Sequence, residues 1–309
     1  MTVASAPGKI ILLGEHGVVY GEPCLSVAID VRVGIEMENG EEFTVNGRKM
    51  DSRRHTYIKH TVEKLWKGEP LEITTFSKIP SASGLGSSAA VTVATVACLL
   101  KMNDTFTLEE TAKKSFEIEY EVQGGGSPND TSACTYGSAI LLSNEEKDGF
   151  VWKISQQEKN WFVYPIDIPD IKLVIGMTGI KSKTKKQVEK VRKFVKYSSF
   201  ARELTEEMGS LVLEGERALK KRDFTRLGEI MNEDQKILHT LGASSLELEK
   251  LISSALKAGA YGAKLTGAGG GGSMIALTDE HEKTAMAIEK AGGRAMVVSI
   301  SHEGVKVWD

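Results

Sequence analysis

Residues 87–101, Ser-Ser-Ala-Ala-Val-Thr-Val-Ala-Thr-Val-Ala-Cys-Leu-Leu-Lys, read as a helix with apolar side chains on nearly every face. A helix of that kind has to be covered on most sides, so the chain around it must supply a layered core. The apolar stretch is too short to span a bilayer and carries Thr92 and Thr95, which places the helix inside a protein. The chain has 309 residues, 41% of them hydrophobic and 26% charged. That length supports two domains, each with its own core.

The remaining pattern is mixed. β-Branched runs at 10–13 and 27–35, and the alternation of Leu71, Ile73 and Thr75, predict strands. Tyr57, Ile58, Val62, Leu65 and Trp66 follow helical spacing, and Thr107 with Glu110 forms a capping box that opens a helix toward Val122. Past residue 165 a strand at 171–176 precedes amphipathic helices at 188–195, 204–219, 224–238 and 246–256. Strands return at 261–266, 273–277 and 295–300. No regular alternation of strand and helix exists, so the class is α+β rather than a doubly wound sheet. The polar segment 144–169 marks a boundary, giving domains at 1–165 and 166–309.

Three glycine-bearing segments carry the chemistry. The first, Pro80-Ser81-Ala82-Ser83-Gly84-Leu85-Gly86-Ser87-Ser88-Ala89, runs straight into the apolar helix. Amides of a first helical turn lack intrahelical partners and sit at the positive end of the helix dipole, so this loop is an anion cradle suited to a triphosphate. A Ser87 or Ser88 hydroxyl stands where it could ligand Mg²⁺, although GxxxxGK[ST] is absent. The bland reading, a Gly/Ser turn that caps a helix, accounts for the loop taken alone.

The second segment, Lys264-Leu265-Thr266-Gly267-Ala268-Gly269-Gly270-Gly271-Gly272-Ser273, contains GxGxxG but lacks the strand-to-helix context of a dinucleotide site. Its glycines allow backbone to approach a phosphate or another strand closely. The third segment spans 6–23, with Lys9 before a short apolar run and Glu15-His16 after it. Each of these two, standing alone, would be a tight turn or a set of solvated side chains.

In this order the three segments resemble the GHMP kinases, over essentially the whole chain. The run Gly14-Glu15-His16-Gly17-Val18-Val19-Tyr20-Gly21 is most similar to the branch of that family whose acceptor is mevalonate. The resemblance implies an N-terminal α+β domain with a left-handed βαβ crossover, a ferredoxin-like C-terminal domain, and ATP with Mg²⁺ in the cleft between them. It also implies transfer of the γ-phosphoryl group to the 5-hydroxyl of mevalonate. Pro80 and residues Ser83, Gly84, Leu85, Gly86, Ser87, Ser88 and Ala89 match the phosphate loop. Gly267 and Gly269 match the motif behind it.

By the same resemblance Ser88, with Ser87 as the alternative, and Glu119, with Glu121 not excluded, are the Mg²⁺ ligands. Asp130 is the catalytic aspartate and Lys9 the lysine that reaches the transferred group. The family's usual Pro-Ser-Gly-x-Asp reads Gly-Ser-Pro-Asn-Asp here. Glu15 and His16 match acceptor-binding residues. Lys183 and Thr184 lie where the family contacts the acceptor, while the basic run 181–193 reads equally as a solvated helix face.

A formal net charge of −3 and 6% aromatic residues argue against a nucleic-acid or anionic membrane partner. Cys24, Cys98 and Cys134 match no disulfide or zinc pattern, and the N-terminus has no leader-like pattern. A cytoplasmic enzyme is expected, dimeric if it follows the family. The competing readings are another acceptor (phosphomevalonate, homoserine or a sugar) and a regulator that kept the fold but lost catalysis.

Overall fold

The computed structural model describes residues 1–80, 83–182 and 184–309, without the side chains of residues 184 and 185. The chain opens with two long strands, β1 (Thr2–Leu13) and β2 (Cys24–Asn39), joined through a 3-10 turn at Gly17–Tyr20. Short strands β3 (Thr44–Val45) and β4 (Arg48–Lys49), helix α1 (Thr56–Leu65) and β5 (Leu71–Ser77) follow. Helices α2 (Ser87–Met102), α3 (Leu108–Gln123) and α4 (Asn129–Tyr136) then lead to β6 (Ala139–Ser143) and the hairpin β7 (Trp152–Gln156) and β8 (Lys159–Ile166).

The second part holds β9 (Lys172–Met177), α5 (Thr184–Tyr197), α6 (Ser199–Lys220), α7 (Phe224–Thr240), α8 (Leu246–Lys257), β10 (Gly262–Thr266), β11 (Ser273–Leu277), α9 (His281–Lys290), β12 (Arg294–Ser299) and β13 (Lys306–Trp308).

Two sheets organise these elements. The nine-stranded one runs β4-β3-β5-β2-β6-β8-β7, with β1 on β2 and β13 on β1. Strands β5 and β6 both pair antiparallel with β2, so α2 to α4 form a crossover between two parallel strands. The four-stranded sheet has the order β10-β11-β9-β12, antiparallel throughout. Numbering its strands in chain order gives 2-3-1-4 with helices in the first and last connections, the ferredoxin-like arrangement. The α+β class read from the sequence is the one the chain adopts.

Helix α2 is the axis of the first part. Every residue from Ala89 to Leu100 except Val91 is buried, between β1 and β2 on one side and α1 and α3 on the other. Small side chains at Ala89, Ala90, Ala94 and Ala97 let those elements come close. The Thr92 and Thr95 hydroxyls donate to Ser88 O and Val91 O at 2.9 and 2.7 Å, so neither is left unsatisfied in the apolar surroundings.

The chain's end returns to the first sheet. Arg32 donates to the carbonyls of Ser5, Glu303 and Gly304 and to the hydroxyls of Ser5 and Ser301. That fork ties β1, β2 and residues 301–304 together before β13 pairs with β1. Among the described residues no helix is long and apolar enough to cross a membrane.

Candidate active site

The loop before α2 lies against the middle of β1. Lys9 N donates to Leu85 O at 3.0 Å, and a Cβ placed on Gly8 would fall 2.9 Å from the same carbonyl. Gly86 takes φ +75° as the residue before α2, and no side chain among the described residues caps the helix. The first-turn amides therefore keep their capacity for an anion.

A Cβ on Gly86 would approach Lys9 Cγ to 2.8 Å, so the glycine serves both the left-handed turn and the room for Lys9. Gly86→Ala is expected to destabilise the fold by about 1–2 kcal/mol through the left-handed conformation alone. By displacing Lys9 it should also lower kcat at least about tenfold. Thermal melting and steady-state kinetics read the two effects separately.

The glycine-rich turn after β10 backs this loop. Ser273 Oγ donates to Ser83 O at 2.6 Å, and a Cβ on Gly267 would lie 3.6 Å from Gly84 O. Ser182 Oγ donates to Gly269 O at 2.6 Å and Thr178 Oγ1 to Gly272 O at 2.9 Å. The stretch 178–182 is thus held beside the same turn. Lys183 lies outside the described residues, as does the side chain of Thr184; Pro80 and Ser83 lead into the loop, and Ser83 Oγ donates to Pro80 O at 2.7 Å.

Lys9 and Asp130 meet at the mouth of α2. Lys9 Nζ lies 2.9 Å from Asp130 Oδ1, the lysine side chain 3% exposed and the aspartate 37%. Burial pulls the Lys9 ammonium down, but the Asp130 carboxylate outweighs it and holds the lysine above its ordinary pKa. Asp130 sits in the first turn of α4. Buried Asn129 donates through Nδ2 to Asp130 Oδ1 at 3.2 Å and accepts from Ser26 Oγ at 3.0 Å. The altered Gly-Ser-Pro-Asn-Asp loop therefore supports its aspartate from β2, through a residue the sequence did not single out.

Glu119, on α3, is buried. Burial first, and the Asp130 charge second, push its carboxyl up to about 8, against hydrogen bonds from Ser88 and Gln123 and the attraction of Lys9. Gln123 Nε2 donates to Glu119 Oε1 at 3.1 Å. Two neighbouring carboxyls, Glu119 and Asp130, thus share a single lysine. Glu121 points the other way: it is 45% exposed and pairs with Lys64 at 2.5 Å and His60 at 2.7 Å across α1. A Mg²⁺ ion fits the chemistry of the Ser88–Glu119 pair, because a hard cation with oxygen ligands would offset the surplus carboxylate and take its remaining ligands from phosphates.

The Glu15-His16 motif follows β1 on a tight loop. His16 takes φ +62°, an uncommon conformation for a side chain of its size. Its Nε2 lies 3.0 Å from Ala268 O; a carbonyl only accepts, so Nε2 carries the proton and Nδ1 is an acceptor. Burial lowers the imidazole pKa to about 4, which keeps the ring neutral. Glu15 is 1% exposed and reaches Lys264 Nζ at 2.5 Å.

Lys264 also stands 3.3 Å from Asp234 on α7. Neither Lys264 nor Asp234 was marked by sequence reasoning. A signal existed for Asp234: with Gln235 it falls on the stripe set by Leu227, Ile230, Met231 and Leu238, all buried.

The uncapped amino end of a buried helix, the glycine-rich turn behind it and the Lys9–Asp130 pair thus lie together. The GHMP kinases N terminal domain model matches residues 56–138 and the GHMP kinases C terminal model residues 216–296. The chain belongs to the GHMP kinase family.

Similar curated proteins are mevalonate kinases: that of Pyrococcus abyssi is 33% identical, covering 99% of this chain and 98% of its own length. The Methanothermobacter thermautotrophicus enzyme is 35% identical over 88% and 89%. Among solved structures, L. major mevalonate kinase in complex with R-mevalonate superposes with a TM-score of 0.79 at 25% identity, covering 96% of this chain and 94% of that one. A galactokinase of Lactococcus lactis complexed with galactose shares the fold, with a TM-score of 0.77 at 20% identity.

Proposed function

We propose that this chain transfers the γ-phosphoryl group of ATP to the 5-hydroxyl of mevalonate, in the cytoplasm. The observation that carries the reading is the Lys9–Asp130 pair, 2.9 Å apart, beside the uncapped amino end of α2. Full-length likeness to mevalonate kinases supports the choice of acceptor. The nucleotide-binding unit would span 1–165 and the second unit 166–309, with β13 returning to the first sheet.

Phosphoryl transfer passes through a loose transition state, so the protein's work is positioning and charge stabilisation. Amides of residues 84–89 receive the phosphate chain. Ser88 and Glu119 would hold Mg²⁺, which when bound neutralises the β- and γ-phosphate oxygens. Asp130, fixed by Asn129, orients the acceptor hydroxyl and takes its proton at the carboxylate. Lys9, paired with Asp130, faces the oxygen that develops charge. His16 Nδ1, neutral and unprotonated, accepts a hydrogen bond from a second hydroxyl of the acceptor. Residues 178–184 are suited to the acceptor's carboxylate.

Coupled ADP-release assays with and without mevalonate test this directly. Rapid ADP release is expected with mevalonate, and release near the no-acceptor rate with homoserine, galactose or phosphomevalonate. Faster turnover of any of those three would overturn the acceptor assignment.

A further inference from the structure

The group formed by Glu15, Asp234 and Lys264 contains one cation and two acids, all 0–1% exposed. Lys264 Nζ is 2.5 Å from Glu15 Oε1, 3.3 Å from Asp234 Oδ2 and 2.9 Å from Leu265 O. Hydrogen bonds to Glu15 and Leu265 engage two of the lysine's donors, and Asp234 meets the ammonium as a charge. Glu15 Oε2 and both Asp234 oxygens are buried with no hydrogen-bonding partner of ordinary geometry. Two buried carboxylates on one ammonium would leave a net negative charge in a low-dielectric interior, at a cost of several kcal/mol. One proton held between the acids removes that charge.

The three residues come from three elements: the loop after β1, helix α7 and strand β10. The loop's other connections to the second part run alongside. Thr266 Oγ1 accepts from Ile11 N at 2.9 Å and donates to Ile11 O at 3.0 Å, and His16 is held by Ala268 O.

We infer that Lys264 and Asp234 are positioning residues of the acceptor site: sharing one proton with Glu15, they clamp the loop that carries His16 in its left-handed conformation. Glu15 then acts on the acceptor through the loop. The inference rests on the mevalonate reading for its kinetic consequence, but its physical basis does not.

Other titratable groups near the clamp are few. His16 is neutral, and the Cys24 thiol of β2, pushed up by burial first and by Glu15 second, stays protonated. Helix α6 meets the same loop through Met208 and Val212. Burial raises Glu15 to about 7, and raises Asp234, in spite of Lys264. Carboxyls raised in the folded state contribute stability below their unfolded pKa of about 4, and that stability fades as pH climbs toward about 7.

Asp234→Asn tests the clamp, because an amide has the shape of the protonated acid and has no proton to lose. Thermal melting of wild type and variant should diverge as pH rises from about 5 to about 8, the wild type losing on the order of 5 °C relative to the variant. In the mevalonate-dependent assay the wild-type acceptor KM should rise with pH through about 7 and that of Asp234→Asn should stay flat. The KM for ATP should follow the same profile in both proteins. Parallel melting profiles would overturn the shared proton.

If Asp234→Asn fails to fold, an infrared spectrum of Glu119→Gln at pH about 6, which lacks the raised carboxyl of the metal site, decides. A protonated-carboxyl C=O band that is lost on raising the pH supports the clamp, and its absence sinks it. Diverging melts without mevalonate turnover would sink the acceptor reading and leave the clamp standing.

Discussion

Asp130→Asn and Lys9→Met are each expected to lower kcat at least about a hundredfold while ATP affinity stays within about threefold. The two residues form one ion pair at 2.9 Å, yet the variants should differ in kind. Asn129 and Ser26 still hold the side chain at position 130 in Asp130→Asn, so geometry survives and only the proton acceptor is gone. In Lys9→Met the carboxylate stays, without the charge opposite the developing alkoxide. The double variant should then lose little more than either single one, since groups that act as a unit are not additive. Kinetics on the purified proteins, with ATP affinity measured by equilibrium titration, check this. Near-normal turnover in either single variant would remove that residue from the chemistry.

What sequence could and could not reveal follows from where each signal originates. Helix α2 was legible because burial on all sides leaves only one kind of composition. The start of α3 was legible too: Thr107 Oγ1 accepts from Glu110 N at 3.1 Å, as the capping box requires. Strand β1 was expected only over 10–13 but begins at Thr2. Gly8 carries no side chain where Leu85 O would stand 2.9 Å from a Cβ, and Ala4, Ala6, Pro7 and Gly8 carry no strand signature.

The hairpin β7–β8 falls in the stretch read as a boundary. In β7 buried Trp152 and Ile154 alternate with exposed Lys153 and Ser155, a period-2 pattern too short to stand out among the charged turns, while β8 buries Trp161, Phe162 and Val163 in a row. Helix α4 was missed because Gly-Ser-Pro reads as a loop, although a proline before a short helix is ordinary.

The candidate site divides in the same way. Loops with distinctive glycine spacing stand out in a sequence, so Lys9, Asp130 and the loop at 83–89 are candidates from the order of segments alone. Residues that hold them in place are scattered over unrelated elements. Asn129, Ser26, Asp234 and Lys264 become meaningful only once β2, α4, α7 and β10 are in space. Buried charge is the cue such residues leave in a sequence: an acid on the apolar stripe of α7, and a lysine inside Gly262–Thr266, a strand buried at all five positions. Their cost when unpaired requires a partner nearby.

The alternative left open between Glu119 and Glu121 has a sharp experimental form. Two residues apart on one helix point about 200° apart, and these two do: Glu119 is buried beside Ser88, while Glu121 pairs with Lys64 and His60. Glu119→Gln is expected to lower kcat at least about a hundredfold at fixed Mg²⁺, because a charged oxygen ligand becomes a neutral amide. Raising Mg²⁺ should restore part of the loss. The same change removes a buried acid, so the melting temperature without nucleotide should hold or rise. Glu121→Gln should leave kcat within about twofold, since exposed ion pairs contribute about 0–1 kcal/mol to stability and none of its contacts reaches the cleft. Opposite results, with Glu121→Gln inactive and Glu119→Gln active, would move the metal to the outer face of α3. That outcome would detach the metal from the Ser88 hydroxyl and the uncapped amides of α2, whose nearness to Glu119 is the physical reason for assigning it there.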